Sequence, residues 1–284
     1  RTAETILFNI RVPRIIAAVV IGGGLSVCGA AFQGIFQNPL VSPDILGVTS
    51  GAGFGAAVAI LLGGSAAVIQ GSAFAFGIAA VAAAFGVARI YKTTPTLMLV
   101  LSGIIVGSIF SALLSLVKYV ADPNERLPAI VFWLMGSLAR MSRSELLTVV
   151  IPIIAGTAGL FLVRWRINLL SLGDDEAAAM GVNTEALKGV VIACGTLVTA
   201  SAVSACGIIG WVGLVIPHLG RMLVGSNHDR LIPFSFLLGG AYLLLIDDVA
   251  RSIMSAEIPL GILTAIVGAP FFAWLLRKKG KTGI

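Results

Sequence analysis

Charge is what this sequence has least of. Only 11% of its 284 residues are Asp, Glu, Lys or Arg, against about 25% in an ordinary soluble domain. With 58% hydrophobic residues and a mean hydropathy of +1.03, there is too little polar surface to cover a water-soluble globule. Histidine and cysteine are scarce as well. His218 and His228 are the two histidines, and Cys28, Cys194 and Cys206 are scattered through apolar segments with no CxxC spacing. That excludes a zinc cluster and a disulfide framework, and predicts cysteines that serve as small buried hydrophobes. No GxxxxGK[ST] run is present, so the chain does not itself cradle ATP phosphates. No His, Ser or metal constellation converges, which argues against an enzyme and leaves catalytic and metal-ligand residues unassigned. The net charge of +6 is not a nucleic-acid signature, because no basic stripe with interleaved aromatics is found. Much of the excess lies in Arg277, Lys278, Lys279 and Lys281, directly after an apolar run.

What the chain does have is long apolar runs. A hydrocarbon core of ~30 Å needs ~20 apolar residues per helix. Runs of this kind fall at about 13–35, 46–63, 66–90, 96–120, 146–164, 186–206, 208–224, 231–253 and 260–277. The reading is therefore an all-α polytopic membrane protein with about nine transmembrane helices in a single permease domain over 1–284. Two polar interruptions are long: 121–145, read as an outer loop with an amphipathic stretch around Trp133, and 164–188, read as an inner loop. In the latter Asp174, Asp175 and Glu176 mark a helix start, where acids suit the dipole. Placing the C-terminus inside puts eleven of the 19 Lys and Arg on the inner side, a modest positive-inside bias. The excess of outer arginines needs its own explanation. Gly51 and Gly55, and Gly103 and Gly107, are spaced four apart as close-packing helices require. No cleavable signal peptide is read, and the chain enters its first apolar run almost at once.

Several segments, in order along the chain, together resemble the FecCD-like permeases, the membrane subunits of importers for iron–siderophore, haem and cobalamin. They are Arg11-Val-Pro-Arg14; Gln33 through Leu40 with Pro43 through Val48; Ser171-Leu172-Gly173 through Met180-Gly181-Val182; Gly210 through His218; and Asp248-Val-Ala-Arg251 followed by Glu257-Ile-Pro-Leu-Gly261 and Gly268-Ala-Pro-Phe271. The resemblance implies ten helices built from inverted four-helix repeats. Arg-Val-Pro-Arg would open the second helix, so the family's first helix is expected to be absent from this sequence. It also implies a homodimer in a bacterial or archaeal inner membrane, with the substrate path between the copies. A soluble substrate-binding protein would dock outside, and two ATP-binding-cassette ATPase subunits inside. No cofactor is implied.

By the same resemblance, Arg11, Arg14 and Arg251 match arginines that receive glutamates of the binding protein, an arrangement suited to bidentate carboxylate contacts. Interfacial snorkelling would explain them too. Residues 168–186 match the coupling loop that sits in a groove of the ATPase, with Gly173, Glu176, Ala177 and Gly181 shaping its turns; a solvated loop is the simpler reading. Asn38, Leu40, Thr94 and Thr96 fall where the family narrows its path. The cargo implied is a metal chelate, iron–siderophore or haem first, with cobalamin or an oxyanion such as molybdate also open. A rival from another class is a proton-coupled secondary transporter using Asp247 and Asp248, since intramembrane acids often carry protons. Against it, the two acids sit near a helix end three residues from Arg251, where an ion-paired end is the simpler account.

Overall fold

Lipid offers no hydrogen bonds, so a spanning backbone must satisfy its own. The computed structural model, which describes residues 7–89, 95–254 and 256–281, meets this with helices alone. After a π-helical turn at Leu7–Arg11 come α1 (Val12–Ile35), α2 (Val48–Leu61), α3 (Ala66–Ala88), α4 (Thr96–Val120), α5 (Arg126–Leu134), α6 (Arg143–Leu170), α7 (Asp174–Ala179), α8 (Thr184–Cys206), α9 (Val212–Val224), α10 (His228–Ser252) and α11 (Leu260–Lys281). Six of the apolar helices are long enough to cross a membrane, and Val48–Leu61, Val212–Val224 and Leu260–Leu275 are shorter apolar stretches. Each of the nine runs read from the sequence thus becomes a helix.

Two boundaries differ informatively from the hydropathy runs. The run at 46–63 yields a helix of 14 residues, and the run at 208–224 one of 13. At 1.5 Å per residue each is only ~20 Å long, short of the ~30 Å core. The missing length is irregular chain that re-enters the bundle: 36–47 before α2, and 207–211 before α9. Pro43 and Gly47 (φ +83°) break the first segment; Gly207 (φ +73°) and Trp211 (φ +70°) break the second. Irregular backbone at this depth is tolerated where protein covers it. Val41 and Leu46 are accordingly buried, and the Gln33 side chain donates to the Val41 carbonyl at 3.0 Å.

These two short helices expose the architecture. Helices α1 to α4 contain 24, 14, 23 and 25 residues; α8 to α11 contain 23, 13, 25 and 22. Helix α1 starts at the end of the molecule that holds Arg14, whereas α8 starts at the opposite end, beside Lys188. The two four-helix units therefore run in opposite senses, each with a long helix, a re-entrant segment and a half-length helix. This is an inverted repeat, the arrangement by which many transporters are built.

The centre is α1, most of which is buried, with α10, α6, α9 and α8 packed around it. Small residues permit that crowding. A Cβ added at Gly29 would lie 1.8 Å from the Gly213 carbonyl oxygen, so α1 and α9 touch backbone to backbone. Gly51 and Gly55 seat α2 on α3 in the same way, against the carbonyls of Phe76 and Ser72. Gly103 seats α4 on the re-entrant segment at Ile45. At the Arg14 end three connections are stitched together by backbone bonds: Ser137 N–H to the Cys206 carbonyl (2.7 Å), Leu260 N–H to Gly136 (2.9 Å) and Gly261 N–H to Met135 (3.0 Å). Cys28 and Cys206 are buried and Cys194 is half-buried, all as free thiols.

Candidate functional site: two charged ends of the helix bundle

At the first end the chain begins α1 with Pro13 in the first turn, where its missing N–H costs nothing. Next to it, still in the first turn, Arg14 is buried, and its guanidinium is fully engaged. Nε and Nη2 donate to both oxygens of Asp247 at 2.9 and 2.8 Å, and Nη1 and Nη2 donate to both oxygens of Glu257 at 2.8 and 2.9 Å. Asp247 is 1% exposed and lies near the end of α10, so this fork ties the start of α1 to the end of α10 and to the connection before α11. A buried guanidinium between two carboxylates has the pairing that makes burial of charge tolerable. Arg14 hydrogen bonding holds the Glu257 carboxyl below its ordinary range; burial opposes the shift, and the charges of Arg14 and Arg251 reinforce it. Arg251 pairs with Asp248 one turn back and lies 3.8 Å from Asp247.

The three arginines grouped by the sequence thus differ in position. Arg14 is inside the ion-pair network, Arg251 is half-buried on its edge, and Arg11 is exposed at the π-turn. Asp247 and Asp248 form an ion-paired helix end. Glu257, which the sequence places only within a motif, is the member that reasoning from sequence did not single out.

At the opposite end α6 runs on to Leu170, seven residues into the stretch 164–188, and α8 begins at Thr184. Between them α7 is a six-residue helix. Gly173 leads into it with φ +138°, and Gly181 leaves it with φ +81°. The exit has both bonds of a Schellman cap: Val182 N–H to the Ala177 carbonyl (3.0 Å) and Gly181 N–H to Ala178 (2.9 Å). Ala177 is buried beneath α7, while Asp175 and Glu176 are exposed. The four residues expected to shape this loop therefore fall into two flanking positive-φ glycines, one buried alanine and one exposed acid. Beside α7, the Lys188 ammonium is buried and bonds Asp174 at 2.5 Å and the Thr96 hydroxyl at 3.4 Å.

A second polar cluster shares this end. Arg221 of α9 donates to Gln33 Oε1 at 2.5 Å, while Gln33 Nε2 donates to the carbonyls of Val41 and Gly213. His228 Nδ1 lies 3.0 Å from Asn168 Oδ1, and Asn168 Nδ2 donates to Asn227 Oδ1 at 3.0 Å. Asn38 lines the same cleft and accepts the Leu40 N–H on its side chain, which holds Leu40 exposed at the turn. Asn38 and Leu40 are thus adjacent, Thr96 is tied to Lys188 instead, and Thr94 lies outside the described residues. His218 is buried with its ring edge-on to Phe272.

A bundle of two inverted four-helix units, with one ionic lock at one end and a pivoted short helix at the other, is a transporter's architecture. The model of the FecCD transport family matches residues 1–278 of the chain. The chain belongs to the FecCD transport family. Among curated relatives, the molybdate import permease MolB of Haemophilus influenzae is 46% identical over 281 residues, 99% of this chain and 83% of that protein. A Helicobacter pylori protein (strain 26695) described as an iron chelatin transport system permease is 43% identical over 276 residues, 97% of this chain and 83% of that one. A solved chain described as a metal-chelate type ABC transporter in an inward-facing conformation superimposes with a TM-score of 0.92 at 46% identity, covering 97% of this chain and 88% of that one. The FecCD permease is thus a multi-pass, all-α membrane subunit of the ABC transporter class.

Proposed function

We propose that this FecCD permease forms the translocation path of an ATP-driven importer, as a homodimer with two ATPase subunits at the α7 end and a substrate-binding protein at the Arg14 end. The observation that carries this reading is α7: a rigidly capped six-residue helix between two positive-φ glycines, presenting Asp175 and Glu176 outward. That geometry suits insertion into a groove of a partner. The sequence has no phosphate loop, so hydrolysis belongs to that partner. Movement of α7 would bias the two access states, because each ligand acts only through its differential affinity for them. Helix α4 turns Leu101, Ile104, Ile105 and Ile109 outward, an apolar face on which a second copy would sit across the path.

The cargo proposed is a metal chelate of the iron–siderophore or haem kind, in line with the iron chelatin and metal-chelate relatives. A second reading, a molybdate-type oxyanion, is favoured by the 46% identity to the MolB permease. Selectivity among them is assigned to the binding protein, since the path residues named here, Asn38, Leu40, Thr94 and Thr96, carry no charged group.

The test is uptake into proteoliposomes holding the permease and its ATPase, with loaded binding protein added, with and without a proton ionophore. Uptake that needs all three proteins and ignores the ionophore supports the reading, and competition between chelate and oxyanion then decides the cargo. Uptake by the permease alone, abolished by the ionophore, would sink it in favour of a proton-coupled transporter using Asp247 and Asp248.

A further inference from the structure

Lys188 sits five residues into α8, a helix otherwise apolar for most of its length, yet its side chain is only 2% exposed. A desolvated ammonium must keep its partners, because water cannot replace them. Two of its partners are on other helices. Asp174 is the first residue of α7, with its Oδ2 2.5 Å from Nζ, and Thr96 is the first residue of α4, with its hydroxyl 3.4 Å away. Exposed pairs stretch, break and re-form at little cost. This one is shielded from water, so lengthening it costs more than stretching a surface pair.

The rest of α7 is held to the bundle by little else. Ala177 is its only buried side chain, and the glycines that bracket it hold positive φ. We propose that Lys188 is the positioning residue that transmits displacement of α7 to the start of α4. If a partner pulls α7, Asp174 moves with it, the ammonium follows, and Thr96 is either drawn along or released. This rests on the reading of α7 as the ATPase-coupling helix.

The experiment measures ATP hydrolysis and uptake in the same proteoliposomes, using the whole complex of permease, ATPase and loaded binding protein. Lys188→Met keeps the stem and removes the charge. The expected result is continued hydrolysis with uptake per ATP down at least tenfold, and recovery to within threefold in Lys188→Arg. A residue with a merely structural role would lower both rates in parallel with the amount of complex and leave their ratio intact; that ratio, unchanged in Lys188→Met, overturns the proposal. Should Lys188→Met not assemble, Thr96→Val decides, because it leaves the ion pair in place. A threefold or larger loss of uptake per ATP supports transmission through Thr96, and no change overturns it. Failure of the underlying reading has a different signature: Asp175→Arg combined with Glu176→Arg would leave ATPase subunits fully bound and their hydrolysis unaffected.

Discussion

Arg14 and Asp247 meet through a two-pronged contact, with Nε 2.9 Å and Nη2 2.8 Å from the two carboxylate oxygens, across 233 positions of sequence. The pair closes the start of α1 onto the end of α10, and both side chains are buried. Removing Asp247 takes one of two carboxylates from the buried Arg14 and leaves it Glu257, which costs up to about 3 kcal/mol. Asp247→Ala should therefore lower the thermal midpoint of the detergent-solubilised permease strongly. Asp248→Ala, which removes an exposed partner of Arg251, should cost under about 1 kcal/mol. Equal shifts for the two variants in a thermal melt would refute the distinction.

Glu257 gives the same network a pH dependence. Its carboxyl is held below the ordinary value of 4.5, first by the Arg14 hydrogen bond. A depressed folded-state pKa means stability that is fully present above the unfolded value and lost as pH falls through the folded one. The contribution of this contact should be flat from pH 7 down to about 5 and decline only below 4.5. Because the Glu257 side chain is 37% exposed, the effect is small, a fraction of that of Asp247. Melts of Glu257→Gln against the parent should differ by a constant amount above pH 5 and draw together as pH falls below 4.5.

Some glycines touch backbone, whereas others face open space. A Cβ at Gly29 would stand 1.8 Å from the Gly213 carbonyl, which cannot yield without separating α1 from α9. Gly71 and Gly86 of α3 have nothing within 4 Å of the added carbon. Gly29→Ala should abolish recovery of monodisperse protein. Gly71→Ala and Gly86→Ala should be neutral or stabilising by up to ~1 kcal/mol, the usual helix preference for alanine over glycine. Size-exclusion profiles of the three variants make the comparison directly.

These contacts explain what was legible in the sequence and what was not. Hydropathy located all nine apolar helices, because burial in lipid acts on composition alone. It ran α2 too long at both ends and α9 too long at its start, since Leu46, Leu62, Ile208 and Ile209 are as apolar as the helices they flank. The helix is broken there by Pro43, Gly47 and the φ of Trp211, which a hydropathy average does not see. The motif segments named the residues at both ends of the bundle, but not their engagement. Arg14 finds Glu257 from 243 positions away, so nothing local distinguishes it from exposed Arg11. Lys188 did carry a local signal, a lone charge inside an apolar run, although the charge count treated it only as an inner-side cation.

That difference between Arg11 and Arg14 yields the sharpest test of the proposed docking end. Arg14 has both edges of its guanidinium committed to Asp247 and Glu257, so an incoming carboxylate would have to displace one of them. Arg11 is exposed on the π-turn next to it and is placed to meet an acidic partner first. Arg11→Glu should weaken association of the binding protein about tenfold at low salt, through a slower on-rate, with the difference shrinking as ionic strength rises. Its melting behaviour should match the parent. Arg14→Ala should instead reduce the yield of folded permease, because it leaves Asp247 charged and buried. Surface-plasmon-resonance titrations of binding protein over nanodisc-held permease, at several salt concentrations, separate the two effects. A full-strength, salt-insensitive interaction in Arg11→Glu would remove this residue from the interface and with it the case for docking at the Arg14 end.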